Sequence, residues 1–191
     1  WLLAASLAAK FPEKQEKFDH YIKTAISMDT SQKAKVDIAR KAIDIFKRIP
    51  NQQKVAEWSL EILNMVKPAP SKVDIYNAGF ESFKAQNYLV ADSVFDIYKD
   101  KYPDEVYGYY WSFRSLSVVD STMEQGLAVP DYQRFVEIAE VDKVKNKSTL
   151  ITADGYLAEY NANVKKDFTM TISYLDKIIE IAPTNVDAAK N

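Results

Sequence analysis

One stretch, residues 71–105, limits what this chain can become. It carries two amphipathic helical stripes, each with a start signal before it, and a proline after the second. Ser71 followed by Asp74 reads as a capping box, which supplies acceptors for the orphan N–H groups of a helix start. Val73, Tyr76, Phe80 and Phe83 then recur at helical spacing. Asn87 stands where a second cap belongs, Tyr88, Ala91, Val94, Phe95 and Tyr98 make a second stripe, and Pro103 stops it. Small residues Ala78, Gly79 and Ala91 sit where two helices can approach closely. The stretch predicts a helix–turn–helix hairpin, and a hairpin that is apolar on more than one face buries its surface only against neighbours.

Such a unit should recur. The second-helix signature, a small residue twelve before a stop and an apolar one eight before it, gives Ala56 and Leu60 ahead of Pro68. It gives Thr171 and Leu175 ahead of Pro183, with Phe168 in the place of Tyr88, and more loosely Phe18 and Ile22 ahead of Thr30. From Pro68 to Pro103 is 35 residues. The arrangement resembles the tetratricopeptide repeat, a roughly 34-residue helix pair. In that family a small residue, an alanine, an aromatic and a proline hold fixed places, and these fall on Gly79, Ala91, Phe95 and Pro103. The usual aromatic of the first helix is replaced by Ser82.

Helix by helix, the pattern predicts pairs at 1–10 with 13–28, 31–48 with 51–66, 72–86 with 88–101, 105–119 with 129–141, and 148–165 with 168–181. The corresponding repeats are about 1–30, 31–69, 71–105, an irregular 106–143, and 148–183. They form one solenoid fragment over 1–191, with 184–191 starting a further or capping helix at Thr184 and Asp187. The run from Val141 to Ser148 reads as a polar link, with Lys143 to Lys147 a solvated charge run. No segment alternates with the period of a strand. The resemblance implies an all-α fold, a right-handed α–α superhelix of stacked helix-turn-helix repeats.

The 191 residues are 47% hydrophobic with a formal charge of -2, ample for a core and with no basic footprint for nucleic acid. The absence of cysteine removes disulfides, thiolate metal sites and a Cys nucleophile together. No apolar run reaches the roughly 18 residues that span a membrane. The opening WLLAASLAA has no basic start and reads as a first repeat helix of an excerpted chain.

A closer resemblance covers about residues 70–190. Arg114 on an aromatic-rich helix, the loop Asp120 to Gln125-Gly126-Leu127-Ala128 with Pro130, the turn Val136 to Glu140, and Lys166-Asp167-Phe168 look like C-terminal repeats of tetratricopeptide proteins common in Bacteroidetes. Between Ala158 and Phe168 this chain has one residue more than that pattern. Many such relatives are exported to the cell envelope, so the resemblance implies that compartment; it implies no activity.

The chemistry of catalysis is missing. Four glycines, at 79, 108, 126 and 155, draw no phosphate-binding motif. The single histidine, His20 beside Asp19, reads as a helix-surface residue, since one His without Cys makes neither a zinc site nor a Cys–His pair. Asp120 and Glu124 share a loop that could attract calcium, though a turn or cap role for Asp120 is the favoured reading. Asn146-Lys147-Ser148 fits the glycosylation triplet, a pattern short enough to arise by chance. The chain is therefore expected to be no enzyme and to need no cofactor or metal.

In the repeat superhelix, first helices line the concave face. Their groove-facing places fall on Val73, Tyr76 and Phe80, and then on Tyr107, Tyr110 and Arg114. Tyr76, Phe80, Tyr107, Tyr110 and Arg114 are the expected peptide-binding residues, because rings cover apolar side chains and a guanidinium takes a carboxylate in two hydrogen bonds. Tyr76 and Phe80 stand where chaperone-binding members hold Lys and Asn, which argues against that partner. The sequence thus predicts a non-catalytic scaffold for a protein or peptide, without membrane insertion of this segment. The alternative is an architectural segment that docks on the rest of its own chain or forms a homodimer.

Overall fold

The computed structural model describes Phe11, residues 14–49 and residues 51–183. The expected helix 1–10 and the Thr184–Asp187 cap lie outside the described residues. The chain divides into two compact units, 1–94 and 95–191. No strand occurs among the described residues.

The first unit contains α1 (Gln15–Met28), α2 (Gln32–Arg48), α3 (Gln52–Met65), α4 (Lys72–Lys84) and the start of α5 (Tyr88–Lys101). α2, α3 and α4 begin where side chains satisfy first-turn N–H groups. Ser31 accepts from the Ala34 N–H, Asn51 from the Lys54 N–H and Ser71 from the Asp74 N–H. Phe18, Ile22, Ala39, Phe46, Val55 and Trp58 fill the core between α1, α2 and α3, with Phe18 edge-on to Phe46 at 4.7 Å. The Trp58 indole donates to buried Asp19 at 3.0 Å, so neither polar group is stranded.

α4 corrects one expectation. Its buried face is Ile75, Ala78, Gly79 and Ser82, whereas Val73 is 63% exposed and Tyr76, Phe80 and Phe83 are half-buried. The apolar stripe of α4 is therefore not its buried face: Val73 is exposed, and Tyr76, Phe80 and Phe83 stay partly open. Ser82 is fully buried in the aromatic's place because its hydroxyl donates to the Ala78 carbonyl at 2.7 Å. Buried Glu81 ties α4 to α2 through Lys47 at 2.9 Å and to α3 through Gln52 at 2.8 Å, and pairs with Lys84 of its own helix at 2.9 Å.

The second unit holds the rest of α5, then α6 (Val106–Val119), α7 (Val129–Ala139), a 3-10 turn at Glu140–Asp142, α8 (Lys143–Tyr160) and α9 (Phe168–Ile181). The expected polar link is a second correction. Lys143 to Ser148 are the opening turns of α8, capped by Asp142, which accepts from the Lys145 N–H at 3.1 Å. Their side chains are mostly exposed, so they are solvated but helical. Asn146 donates to the Ala139 and Asp142 carbonyls, which places the glycosylation triplet inside this helix start. A column of rings runs through the unit, with Phe113 stacked on Tyr132 at 3.9 Å and Tyr132 on Tyr156 at 4.1 Å.

The extra residue before α9 takes a definite form. Asn161–Lys165 is a π-helical turn, ended by Lys166 in the left-handed region (φ 57). Asp167 then caps α9 by accepting from the Met170 N–H at 3.0 Å. Phe168, placed by pattern where α5 has Tyr88, is exposed.

The α6–α7 connection is organised by Asp120, whose buried carboxylate accepts from the Gln125 and Leu127 N–H groups at 3.3 and 3.2 Å. That is the turn role. Gly126 sits inside this loop at φ +66, and a Cβ there would lie 2.6 Å from the Tyr160 hydroxyl. Gly126→Ala combines left-handed strain with that overlap and is expected to cost about 2 kcal/mol, read from urea unfolding. An unchanged midpoint would mean that the loop is not held in this conformation.

Candidate functional site

Arg114 is the centre of the best-formed candidate. α6 brings Tyr110 and Arg114 together because they are four residues apart and share one helix face. Arg114 Nη1 donates to the Tyr110 hydroxyl at 2.9 Å. The guanidinium carbon lies 5.5 Å from the centre of the Tyr110 ring and 5.2 Å from that of Trp111, within cation–π range. Tyr110 is itself braced edge-on by Trp111 at 5.0 Å and by Phe113 at 5.4 Å. The cation is held in place yet exposed.

Beside it opens a cleft of about 390 Å³, lined by Tyr110, Phe113, Arg114 and Ser117 of α6, Tyr132 of α7, and Ser148, Thr149 and Thr152 of α8. The aromatic part is the end of the ring column, and the far wall is a row of hydroxyls. Ser117 donates to the Phe113 carbonyl at 2.7 Å and lies 3.2 Å from the Tyr132 hydroxyl. Burial raises the Tyr132 phenol above its ordinary value, against smaller opposing effects of Ser117 and Arg114.

The other expected residues are less assembled. Tyr107 is 48% exposed, one turn before Tyr110. In the first unit Tyr76 and Phe80 stack at 5.8 Å, with the Lys84 ammonium 5.4 Å from the Phe80 ring centre. The sequence reading missed Tyr132 and the α8 wall. Tyr132 shows only as one more apolar position of α7, and Ser148 was assigned to a link. A larger cleft of about 520 Å³ lies in the first unit against Trp58, Ile26 and Met65, away from every expected residue. Its charges are of both signs, and Asp19 there is already bound by Lys23 at 2.8 Å. His20 is exposed on α1, and among the described residues no group of three His, Cys, Asp or Glu could hold a metal ion. No described helix is long and apolar enough to cross a membrane.

No family model matches the chain. No curated protein matches it either. Among solved structures it is similar to the C-terminal part of a TPR repeat-containing protein from Cytophaga hutchinsonii, with a TM-score of 0.71 at 24% identity, over 95% of this chain and 69% of that one. This chain has a tetratricopeptide-repeat fold. Two structures of MamA share it more distantly. A fragment from residue 41 to the end, from Desulfovibrio magneticus RS-1, has a TM-score of 0.57 at 14% identity, covering 94% of this chain and 92% of that one. The ArsTM double mutant of MamA RS-1 has 0.58 at 13% identity, covering 93% and 92%. In tetratricopeptide-repeat terms α6 and α8 are first helices of successive repeats, and the Arg114 cleft is lined from both and from α7. Repeat folds of this kind typically serve as protein-interaction scaffolds.

Proposed function

We propose that this chain is a non-catalytic scaffold that binds a protein or peptide segment, with the α6–α8 cleft as its contact site. The observation that supports this most is Arg114, fixed over Tyr110 and Trp111 at the mouth of a cleft with an aromatic floor. Tyr, Trp and Arg are the residue types that most often dominate binding energy, and a braced side chain loses little freedom when a ligand arrives. Tyr76 and Phe80 extend the same chemistry to the first unit.

The test is a random-peptide display selection on the immobilised protein, counter-screened with Arg114→Ala and Tyr110→Ala. Enriched peptides are expected to lose about tenfold or more in affinity on either variant, roughly 1.4 kcal/mol. Peptides that bind all three proteins equally would remove the cleft from the function.

A second reading is favoured by α9, where Phe168 and Ile172, one helical turn apart, are both exposed. Apolar side chains grouped on one helix suit docking on further chain or self-association. Under that reading Phe168→Ser with Ile172→Ser abolishes a concentration-dependent dimer in sedimentation, while Arg114→Ala leaves it intact.

A further inference from the structure

Resting on the reading of the α6–α8 cleft as a peptide site, we infer that its ligand is an acidic segment, whose Asp or Glu carboxylate sits between Arg114 and the α8 hydroxyls. The charge of the lining carries this. Among the residues that line the cleft, Arg114 is the one charged side chain, and the rest are rings and hydroxyls.

The opposite wall completes a two-sided grip. Thr152 gives its proton to the Ser148 carbonyl at 3.1 Å, one helical turn back. Ser148 and Thr149 hydroxyls, on the same wall of the cleft, are available as donors to an oxygen lying between the walls. The Tyr132 phenol adds a third hydroxyl to the lining. A guanidinium on one side and neutral donors on the other match a carboxylate, which accepts at both oxygens, and the guanidinium repels an ammonium group. The half-buried Tyr110 ring, beside Arg114 in the lining, takes an apolar neighbour of the acid. The site needs no free chain terminus, so an internal Asp or Glu fits it.

Four pools of short fluorescent peptides test the inference. Each has randomised apolar flanks around a fixed central Glu, Gln, Lys or phosphoserine, and anisotropy reads binding to the wild type, Arg114→Ala, Tyr110→Ala and Ser148→Ala with Thr149→Ala. Those positions are exposed or half-buried, and thermal melts check that each variant folds. The Glu pool is expected to bind about tenfold more tightly than the Gln pool. That preference should vanish in Arg114→Ala, shrink in the double variant and weaken as salt rises. Equal binding of the Glu and Gln pools, still lost in Tyr110→Ala, overturns the acidic ligand and keeps the peptide cleft. Binding led by the phosphoserine pool overturns the carboxylate in favour of phosphate, and binding led by the Lys pool reverses the sign. Failure of every pool to bind removes the cleft reading along with the inference.

Discussion

Phe95→Ala is expected to cost about 3–5 kcal/mol of folding stability, the largest loss of any single truncation considered. Phe95 is 0% exposed and stacks on Trp111 at 6.4 Å, in the α5 position that the repeat pattern reserves for an aromatic. Removing the ring takes away its transfer free energy and leaves a hole, and Ala91, Val94 and Tyr98 around it belong to the same buried face. Phe168 supplies the contrast. It is 64% exposed on α9, and Phe168→Ala should change stability by about 0.5 kcal/mol or less in the isolated chain. Urea unfolding of the two variants side by side reads the difference. A cost under about 1 kcal/mol for Phe95→Ala would show that the register of the hairpin is wrong.

The second large effect has the opposite sign. Asp154 is 0% exposed on α8, and neither carboxylate oxygen has a hydrogen-bond partner. Its nearest cations are committed elsewhere, Lys177 to Glu140 and Lys143 to Glu180, each at 2.8 Å. Burial pushes the acid up from 3.8 to about 6, Glu140 adds to the rise, and Lys177 and Lys143 oppose it without cancelling it. An acid whose folded value is raised is a cost to the folded state wherever it is ionised in both states. That cost is present in full above about pH 7 and disappears as pH falls through 6 towards 4. The span from 3.8 to about 6 corresponds to about 3 kcal/mol. The wild type should therefore gain stability on mild acidification. Asp154→Ala should be about 2 kcal/mol more stable than the wild type at pH 8, with a small loss to the cavity, and no more stable at pH 4. A difference that does not change with pH would mean that the carboxyl titrates alike in the folded and unfolded chain.

Glu81 keeps the two effects apart on the pH axis. Burial pushes this carboxyl up, but hydrogen bonds from Lys47, Gln52 and Lys84 outweigh burial and hold it below its ordinary value of 4.5. Its contribution is favourable above that value and fades as pH falls below it. Acidification thus strengthens the second unit before it weakens the first.

What the sequence makes legible follows from which signals are local. Caps such as Ser31, Asn51 and Ser71 act within one turn, so the starts of α2, α3 and α4 can be read from neighbouring letters. The α5 stripe is legible for a similar reason, since its apolar spacing and its buried face coincide. They do not coincide in α4, where Tyr76 and Phe80 look like core and Ser82 and Glu81 are buried instead. A hydroxyl that bonds its own helix, or a carboxylate met by two lysines, is compatible with burial only through partners that spacing does not show. The start of α8 was hidden because solvated helical turns and a charged link have the same composition. Tyr110 and Arg114 were legible because one helix places them together, whereas Ser148 and Thr149 reach them only through the packing of α6, α7 and α8.

The π-helical turn at Asn161–Lys165 changes how this chain should be lined up with its relatives. An i→i+5 turn takes in a residue that an i→i+4 helix cannot hold, and here it does so within the last turn of one helix. Upstream, Leu157 keeps its face towards the core, and downstream Tyr174 and Ile178 keep theirs. A gap drawn anywhere else would shift one helix by a full position and exchange its inside for its outside. Deleting one residue of 161–165 should therefore be tolerated, and deleting one from the middle of α8 should not. The turn is a length buffer: relatives that differ by one residue at this point can share every buried contact on either side of it.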